Sequence, residues 1–265
     1  MSKTCSDQLG LFDSSSLGWG FDLGASGAAG ASRFRETSDH DGDDSERAAP
    51  PPAAVVPRIP AVTFRLTGDR ALAANWKGRA ADTIAAIRLA REIEDAARPA
   101  TEDEQVRLAK FTGFGASDLA NSFFRRPGES FRPGWEEMGH ELERLVSAEE
   151  MAALSRSTQY AHFTPEFMIR AIWRAVTRLG FACGSVLEPG CGSGLFLALM
   201  PEDLAGKTAI TAIEMDPSTA RIAKLLYPEA WVRQEDFTKA KLAVGHLDGA
   251  HALLPVACHQ VGQQL

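Results

Sequence analysis

The chain is poor in cysteine, and its four cysteines are not spaced in pairs along the sequence. Cys5, Cys183, Cys191 and Cys258 lie far apart with no C-x-x-C spacing, which argues against a disulfide framework and against a zinc site and leads us to expect reduced thiols and no bound metal. No apolar run reaches the length of a membrane span. No basic segment followed by an apolar block opens the chain, so no signal peptide is expected. The expectation is therefore a cytoplasmic protein with no membrane partner. Positive charge is also short: 28 lysines and arginines face 35 acids, for a net charge of -7. A surface that grips nucleic acid would have to be local, because a stand-alone nucleic-acid binder usually carries a basic face.

What is present falls into four segments. Residues 1–60 read as a disordered tail, with Gly, Ser and Ala dominating residues 14–32, an acidic run from Asp39 to Glu46 and a proline cluster at Pro50, Pro51 and Pro52. Such a composition cannot bury enough apolar surface to offset its ordering entropy. Residues 61–156 form a helical region. Ile84, Ile87 and Ile93 recur at helical spacing over residues 80–97, with Pro99 beyond them. Thr101 with Glu104, and Ser147 with Glu150, are spaced as capping boxes ahead of apolar residues. Between these helices lies a stretch rich in Gly, Phe and Arg. Phe123, Phe124, Phe131 and Trp135 sit close in sequence to Arg125, Arg126 and Arg132. Such pairs stack on bases or pack a helical layer, and packing is the favoured reading.

From residue 157 to 250 helices and strands alternate, which implies an α/β fold with a parallel sheet. Thr164-Pro165 reads as a helix start, with the threonine as N-cap and the proline as first helical residue. Ile169, Ile172, Val176 and Leu179 form the apolar face of that helix and Gly180 ends it. Short strands are expected at residues 185–187, 209–213 and 231–232, with helices at 195–200 and after Asp216-Pro217.

The chemistry concentrates at the ends of these strands. Glu188-Pro189-Gly190-Cys191-Gly192-Ser193-Gly194 carries a strand into a glycine-rich turn and then a helix, the place where an open parallel sheet receives its ligand. Alternating glycines let backbone approach a ligand closely. A dinucleotide fingerprint would need glycine at the position of Leu195, and a carboxylate such as Glu188 repels a pyrophosphate, so a nicotinamide cofactor is disfavoured. A cationic amine or sulfonium would instead be attracted. Glu214 ends the second strand, where an acid accepts hydrogen bonds from ribose hydroxyls, with Met215 beside it to lie against a purine. Asp236-Phe237 follows the third strand, where a carboxylate accepts from an adenine amino group and a ring covers the base. Cys191 reads as a small loop residue rather than a nucleophile, and His162 as a capping or packing residue.

These three elements, with the segment Ala161-His162-Phe163-Thr164-Pro165 ahead of them, resemble the DNA adenine-N6 methyltransferases of the gamma arrangement. In that family a motif similar to Ala161-His162-Phe163-Thr164-Pro165 precedes the glycine loop and touches the methionine end of S-adenosylmethionine. The resemblance extends to the large methylase–helicase proteins of plasmids and other mobile elements, in which a helical segment with a motif like Gly113-Phe114-Gly115 precedes the methylase and a Tyr-Pro pair like Tyr227-Pro228 follows the second helix. It covers roughly residues 80–237. It implies an incomplete Rossmann-like class I methyltransferase fold. Phe163, Thr164, Pro165, Glu188, Pro189, Gly190, Gly192, Gly194, Glu214, Met215, Asp236 and Phe237 would hold S-adenosylmethionine. DNA would be the partner, with a downstream helicase region or a complementing chain.

The family's Asp/Asn/Ser-Pro-Pro-Tyr/Phe motif, which binds the target amine and stacks on the flipped base, has no counterpart in the sequence, so no catalytic residue is assigned. Residues 247–250 read as the start of a fourth strand, and His251-Ala252-Leu253-Leu254-Pro255 occupies the motif's place. Residues 251–265 read as an atypical tail, from a frame shift near Ala250 or from a fragment. The chain is thus expected to be inactive alone. The alternatives are a methyltransferase acting on a protein or on RNA, and an antirestriction-type accessory protein whose methylase half is vestigial.

Overall fold

The computed structural model describes residues 61–242, apart from 127 and 159–162, together with the backbone of residues 251–253. The N-terminal 60 residues, Tyr160, Ala161, His162, residues 247–250 and the tail from 254 onward lie outside the described residues, so the expectations placed on them are not addressed.

Five helices build the first layer: α1 (Trp76–Asp95), α2 (Glu102–Leu108), α3 (Ser117–Phe123), α4 (Glu136–Leu145) and α5 (Ala148–Ser157). Helix α1 starts where the Asn75 side chain accepts the Gly78 N–H at 2.7 Å. It buries Ala80, Ile84, Ile87 and Ile93, a stripe with helical period. Its C-terminus closes as a Schellman motif: Ala97 N–H bonds Glu94 C=O at 2.9 Å and Arg98 N–H bonds Ile93 C=O at 3.4 Å. Both expected capping boxes form, Thr101 with Glu104 and Ser147 with Glu150. The aromatics of the Arg-rich stretch pack inward. Phe123 is buried and stacks on Phe114 with ring centroids 4.7 Å apart, and Arg125 pairs with Glu143.

The second layer alternates. Helix α6 (Glu166–Arg178) precedes β1 (Gly184–Pro189), the short α7 (Leu195–Ala198), β2 (Thr208–Glu214), α8 (Pro217–Leu226), β3 (Trp231–Gln234) and β4 (His251–Leu253). Three local details differ from the sequence expectation. The N-cap of α6 is Pro165, not Thr164: its ψ of 143° keeps it extended while its carbonyl accepts the Met168 and Ile169 N–H groups, and no side chain caps the helix. Helix α7 ends at Ala198 rather than Met200, and a 3-10 turn at Glu202–Leu204 follows. The fourth strand includes His251–Leu253, a segment that the sequence pattern puts in the place of the motif at the strand's end.

All strand pairs are parallel and the order is β3-β2-β1-β4. Leu187 pairs with Thr211 on one side and with Leu253 on the other. The chain therefore leaves β1 toward β2 and β3 and returns to pair on its opposite edge. That reversal is a topological switch point, where open α/β sheets bind ligands at the carboxyl ends of their strands.

The two layers share one apolar core, which joins Ile84, Ile87 and Leu108 of the helical region to Val186, Ile222 and Leu226 of the α/β half. The segment before α1 stitches them together: Phe64 N–H bonds Leu226 C=O at 2.8 Å and Leu66 N–H bonds Ala198 C=O at 3.1 Å. Trp173 of α6 donates its indole N–H to Phe196 C=O at 2.9 Å. Glu150 completes the join, as it caps α5 and meets Arg221 of α8 at 2.9 Å and Arg91 of α1.

Candidate functional site

The glycine loop sits on the end of β2. Gly190 and Cys191 donate their N–H groups to Ile213 C=O at 2.7 and 2.8 Å, and Gly192 donates to Glu214 Oε2 at 2.8 Å. Glu214 Oε1 accepts the Asp216 N–H, also at 2.8 Å. Each carboxylate oxygen thus holds one backbone donor and keeps lone-pair capacity for another. Burial pushes the Glu214 carboxyl up, against the Asp216 and Gly192 N–H groups.

Glu188 lies at the end of β1, paired with Ala212, and is 2% exposed. No hydrogen bond from the described residues reaches its side chain, and its Oε2 is buried without a partner. Burial alone pushes its carboxyl up to about 9. A buried carboxyl with nothing to satisfy it costs folding free energy, so the site carries strain that a cationic or hydrogen-bonding ligand would relieve. Pro189 follows it, buried opposite Ile213.

Two of the loop's glycines are required by their neighbours. Gly192 has φ +57°, and a Cβ there would stand 3.0 Å from Phe163 Cε1. Gly194 has φ +83°, and a Cβ there would stand 2.2 Å from Tyr227 Cε2. Phe163 is half-buried, and its ring also lies 3.4 Å from where a Cβ of Gly113 would be. One ring therefore fills the space between the helical region's Gly113-Phe114-Gly115 motif and the glycine loop. Thr164 is half-buried beside it and Pro165 exposed.

The ends of β2 and β3 are joined by the Glu235 N–H bond to Glu214 C=O at 3.1 Å. Met215 and Phe237, which follow these strand ends, are each 42% exposed, high for large apolar side chains. Asp236 spends Oδ1 on its own turn, accepting from Thr238 N–H at 2.9 Å and Thr238 Oγ1 at 2.7 Å, bonds that hold its carboxyl below the usual range. Cys191 is buried, and burial together with the Glu214 and Glu188 charges pushes its thiol well up, so it is no nucleophile.

The structure thus gathers Glu188, the loop glycines and Glu214 at the carboxyl ends of β1 and β2, with Met215, Asp236 and Phe237 toward β3 and Phe163 against Gly192. Sequence reasoning missed the packing of Tyr227 on Gly194 and the position of Phe163 between two glycine motifs. Neither has a local signal, because both are contacts across distant segments. Among the described residues no cluster of three or more His, Cys, Asp or Glu side chains is placed to hold a metal. No helix among them is long and apolar enough to cross a membrane.

No family model matches the chain, and no curated protein matches it. Among solved structures the chain is similar to one from Listeria monocytogenes named a "putative class I S-adenosylmethionine-dependent methyltransferase", at 12% sequence identity with a TM-score of 0.26. That similarity covers 63% of this chain and 55% of that one, so the chain spans little more than half the length of this neighbour.

Proposed function

We propose that the residues at the carboxyl ends of β1, β2 and β3 bind S-adenosylmethionine, and that the chain is the cofactor-binding part of a Rossmann-like class I methyltransferase acting on the N6 amine of adenine in DNA. The observation that carries the reading is the unpartnered, buried Glu188 beside a glycine loop whose own donor is held by Glu214. Two acids at the switch point, the buried Glu188 and the half-buried Glu214, disfavour a pyrophosphate and favour a ligand with positive charge. S-adenosylmethionine supplies a cationic sulfonium bearing the transferable methyl group, together with an amine, two ribose hydroxyls and an adenine.

The residues fit that group. Glu188 would meet the amine and ionise against it. Glu214 retains acceptor capacity for ribose hydroxyls. Met215 and Phe237 offer exposed apolar surface for the purine, and Asp236 a carboxylate beside it. The loop of Gly190, Gly192 and Gly194 would run along the methionine, with Phe163, Thr164 and Pro165 beyond. The adenine-N6 specificity rests on the resemblance alone, through the order of these elements. In this reading the chain needs a complementing acceptor motif for turnover.

Calorimetric titration of S-adenosylmethionine into the full chain tests the proposal, with Glu214→Ala as control. Saturable binding weakened by about 10- to 100-fold in the variant is expected, the loss of hydrogen bonds to a charged group. Equal affinity for both proteins, or tighter binding of NAD than of S-adenosylmethionine, would overturn it.

A further inference from the structure

A cavity of about 270 Å³ opens on the far side of Phe163 from the glycine loop, between the helical region and the start of α6. Its walls include Arg70, Trp76, Arg79, Thr112, Gly113 and Thr164, and among the described residues no carboxylate lines it. In a chain of net charge -7 that is a local reversal of sign. The two arginines differ. Arg70 is committed through Nε to Glu166 at 3.0 Å. Arg79 uses Nε to hold Ala73 C=O at 2.9 Å, lies over the Trp76 ring at 5.3 Å from its centroid, and its terminal nitrogens bond no described residue. Trp76 itself is 39% exposed. The volume falls just below the roughly 300 Å³ at which sites for drug-sized ligands begin, which suits a compact group.

The cavity also gives the Gly113-Phe114-Gly115 motif a use. Phe114 is fully buried and anchors the turn in the core, while both glycines face the cavity with their backbone. Gly113 takes φ +61°, and neither Gly113 nor Gly115 donates its N–H to another backbone group. Free backbone N–H groups, the open terminal nitrogens of a guanidinium and an aromatic face together recognise an anion attached to a flat ring.

We infer that the cavity walled by Arg79, Trp76 and Gly113 holds one nucleotide unit of a nucleic-acid strand, its phosphate on the Arg79 guanidinium and its base against the Trp76–Arg79 stack. The inference rests on the methyltransferase reading for its biological sense, because it assigns the helical region to the substrate strand. The cavity shares Phe163, Thr164 and Pro165 with the methionine end of the proposed cofactor site, whereas Arg79, Trp76 and Gly113 belong to the cavity alone.

The test is fluorescence anisotropy of a labelled 12-nucleotide single strand, and of its duplex, titrated with the full chain at several salt concentrations. The variants are Arg79→Gln, Arg79→Lys and Trp76→Ala, with Arg144→Ala of α4 as control and circular dichroism to check folding. Wild type and Arg144→Ala should bind alike. Trp76→Ala should weaken binding by about 5- to 100-fold, the range for losing one base–aromatic stack. Arg79→Gln should weaken it and lower the slope of log K against log salt by about one, whereas Arg79→Lys should keep the slope. A packing role for Arg79 would not move the salt slope, so an unchanged slope in Arg79→Gln overturns the inference. So does absence of strand binding by the wild type, or equal competition by inorganic phosphate alone. Loss of S-adenosylmethionine affinity in Arg79→Gln with strand binding intact would also overturn it, by giving the arginine to the cofactor's carboxylate. Strand binding that needs Arg79 in a chain that takes no S-adenosylmethionine would sink the cofactor reading and leave this one standing.

Discussion

Gly194 and Tyr227 are in a contact that admits no side chain: a Cβ on the glycine would stand 2.2 Å from Tyr227 Cε2, 2.8 Å from Cδ2 and 3.0 Å from Cζ. The tyrosine is buried at the end of α8, and its ring braces the last turn of the glycine loop. Gly194→Ala should therefore lower stability by about 2–5 kcal/mol, combining the left-handed backbone penalty with overpacking. Urea unfolding measures it. Gly194→Ala combined with Tyr227→Leu should recover part of the loss. No recovery would mean that the backbone conformation, not the ring, sets the cost.

Glu188 supplies a pH signature. Its folded-state carboxyl is raised from 4.5 to about 9. An acid raised on folding contributes stability fully below its unfolded value and loses it as pH climbs toward the folded value. Wild-type stability should thus decline from about pH 5 to pH 9 relative to Glu188→Gln, and the two should converge below pH 4.5. Binding of a cation should also expel the proton, so the apparent binding enthalpy of S-adenosylmethionine at pH 7 should differ between phosphate and Tris buffers for wild type only. Parallel melting curves for the two proteins across this range would refute the account.

Ala97 occupies the left-handed C′ position of α1 with φ +46°, where α6 uses Gly180 at φ +100°. Both helices close with the same pair of backbone bonds, and only one has the residue suited to it. Ala97→Gly should stabilise the chain by about 1 kcal/mol, seen as a higher melting temperature. A lower one would mean that the unfolded-state entropy of glycine outweighs the strain relieved.

Glu150 joins three helices. Burial pushes its carboxyl up, but the Ser147 N–H, Arg221 and Arg91 outweigh burial and hold it below the usual range. Its contribution is therefore present above the ordinary carboxylate range and lost as pH falls through its depressed folded value. Glu150→Ala removes a cap and leaves two arginines without their shared partner, at about 3 kcal/mol. Denaturant titration at pH 7 and at pH 3 should show a large deficit at the first and a small one at the second. An equal deficit at both would assign the loss to packing.

The structure repeats much that could be read along the chain. The spacing of Ile84, Ile87 and Ile93, the capping boxes at Thr101 and Ser147, and the helix stop at Gly180 are all realised, because each depends on residues within a turn or two of one another. Legibility failed where an element's limit is set by its neighbours. Pro165 and not Thr164 caps α6, since the proline's own carbonyl takes the first helical donors. Helix α7 stops early, where Arg65 from the segment before α1 takes the Met200 C=O at 2.9 Å. The fourth strand falls on His251–Leu253, where parallel pairing with β1 fixes its register.

The sequence by itself determined the order of elements and the residue types at each strand end: a glycine loop after Glu188, an acid at Glu214, and an acid with a ring at Asp236 and Phe237. Tertiary structure alone decided what those residues experience. Glu188 is left without a partner, Phe163 stands between Gly113 and Gly192, and Arg79 lies on Trp76 in a cavity with no acid among its described walls. The physical reason is range. Helix spacing, capping and turn conformation act between near neighbours in the chain, whereas burial, desolvation and steric closure depend on segments brought together only when the core forms.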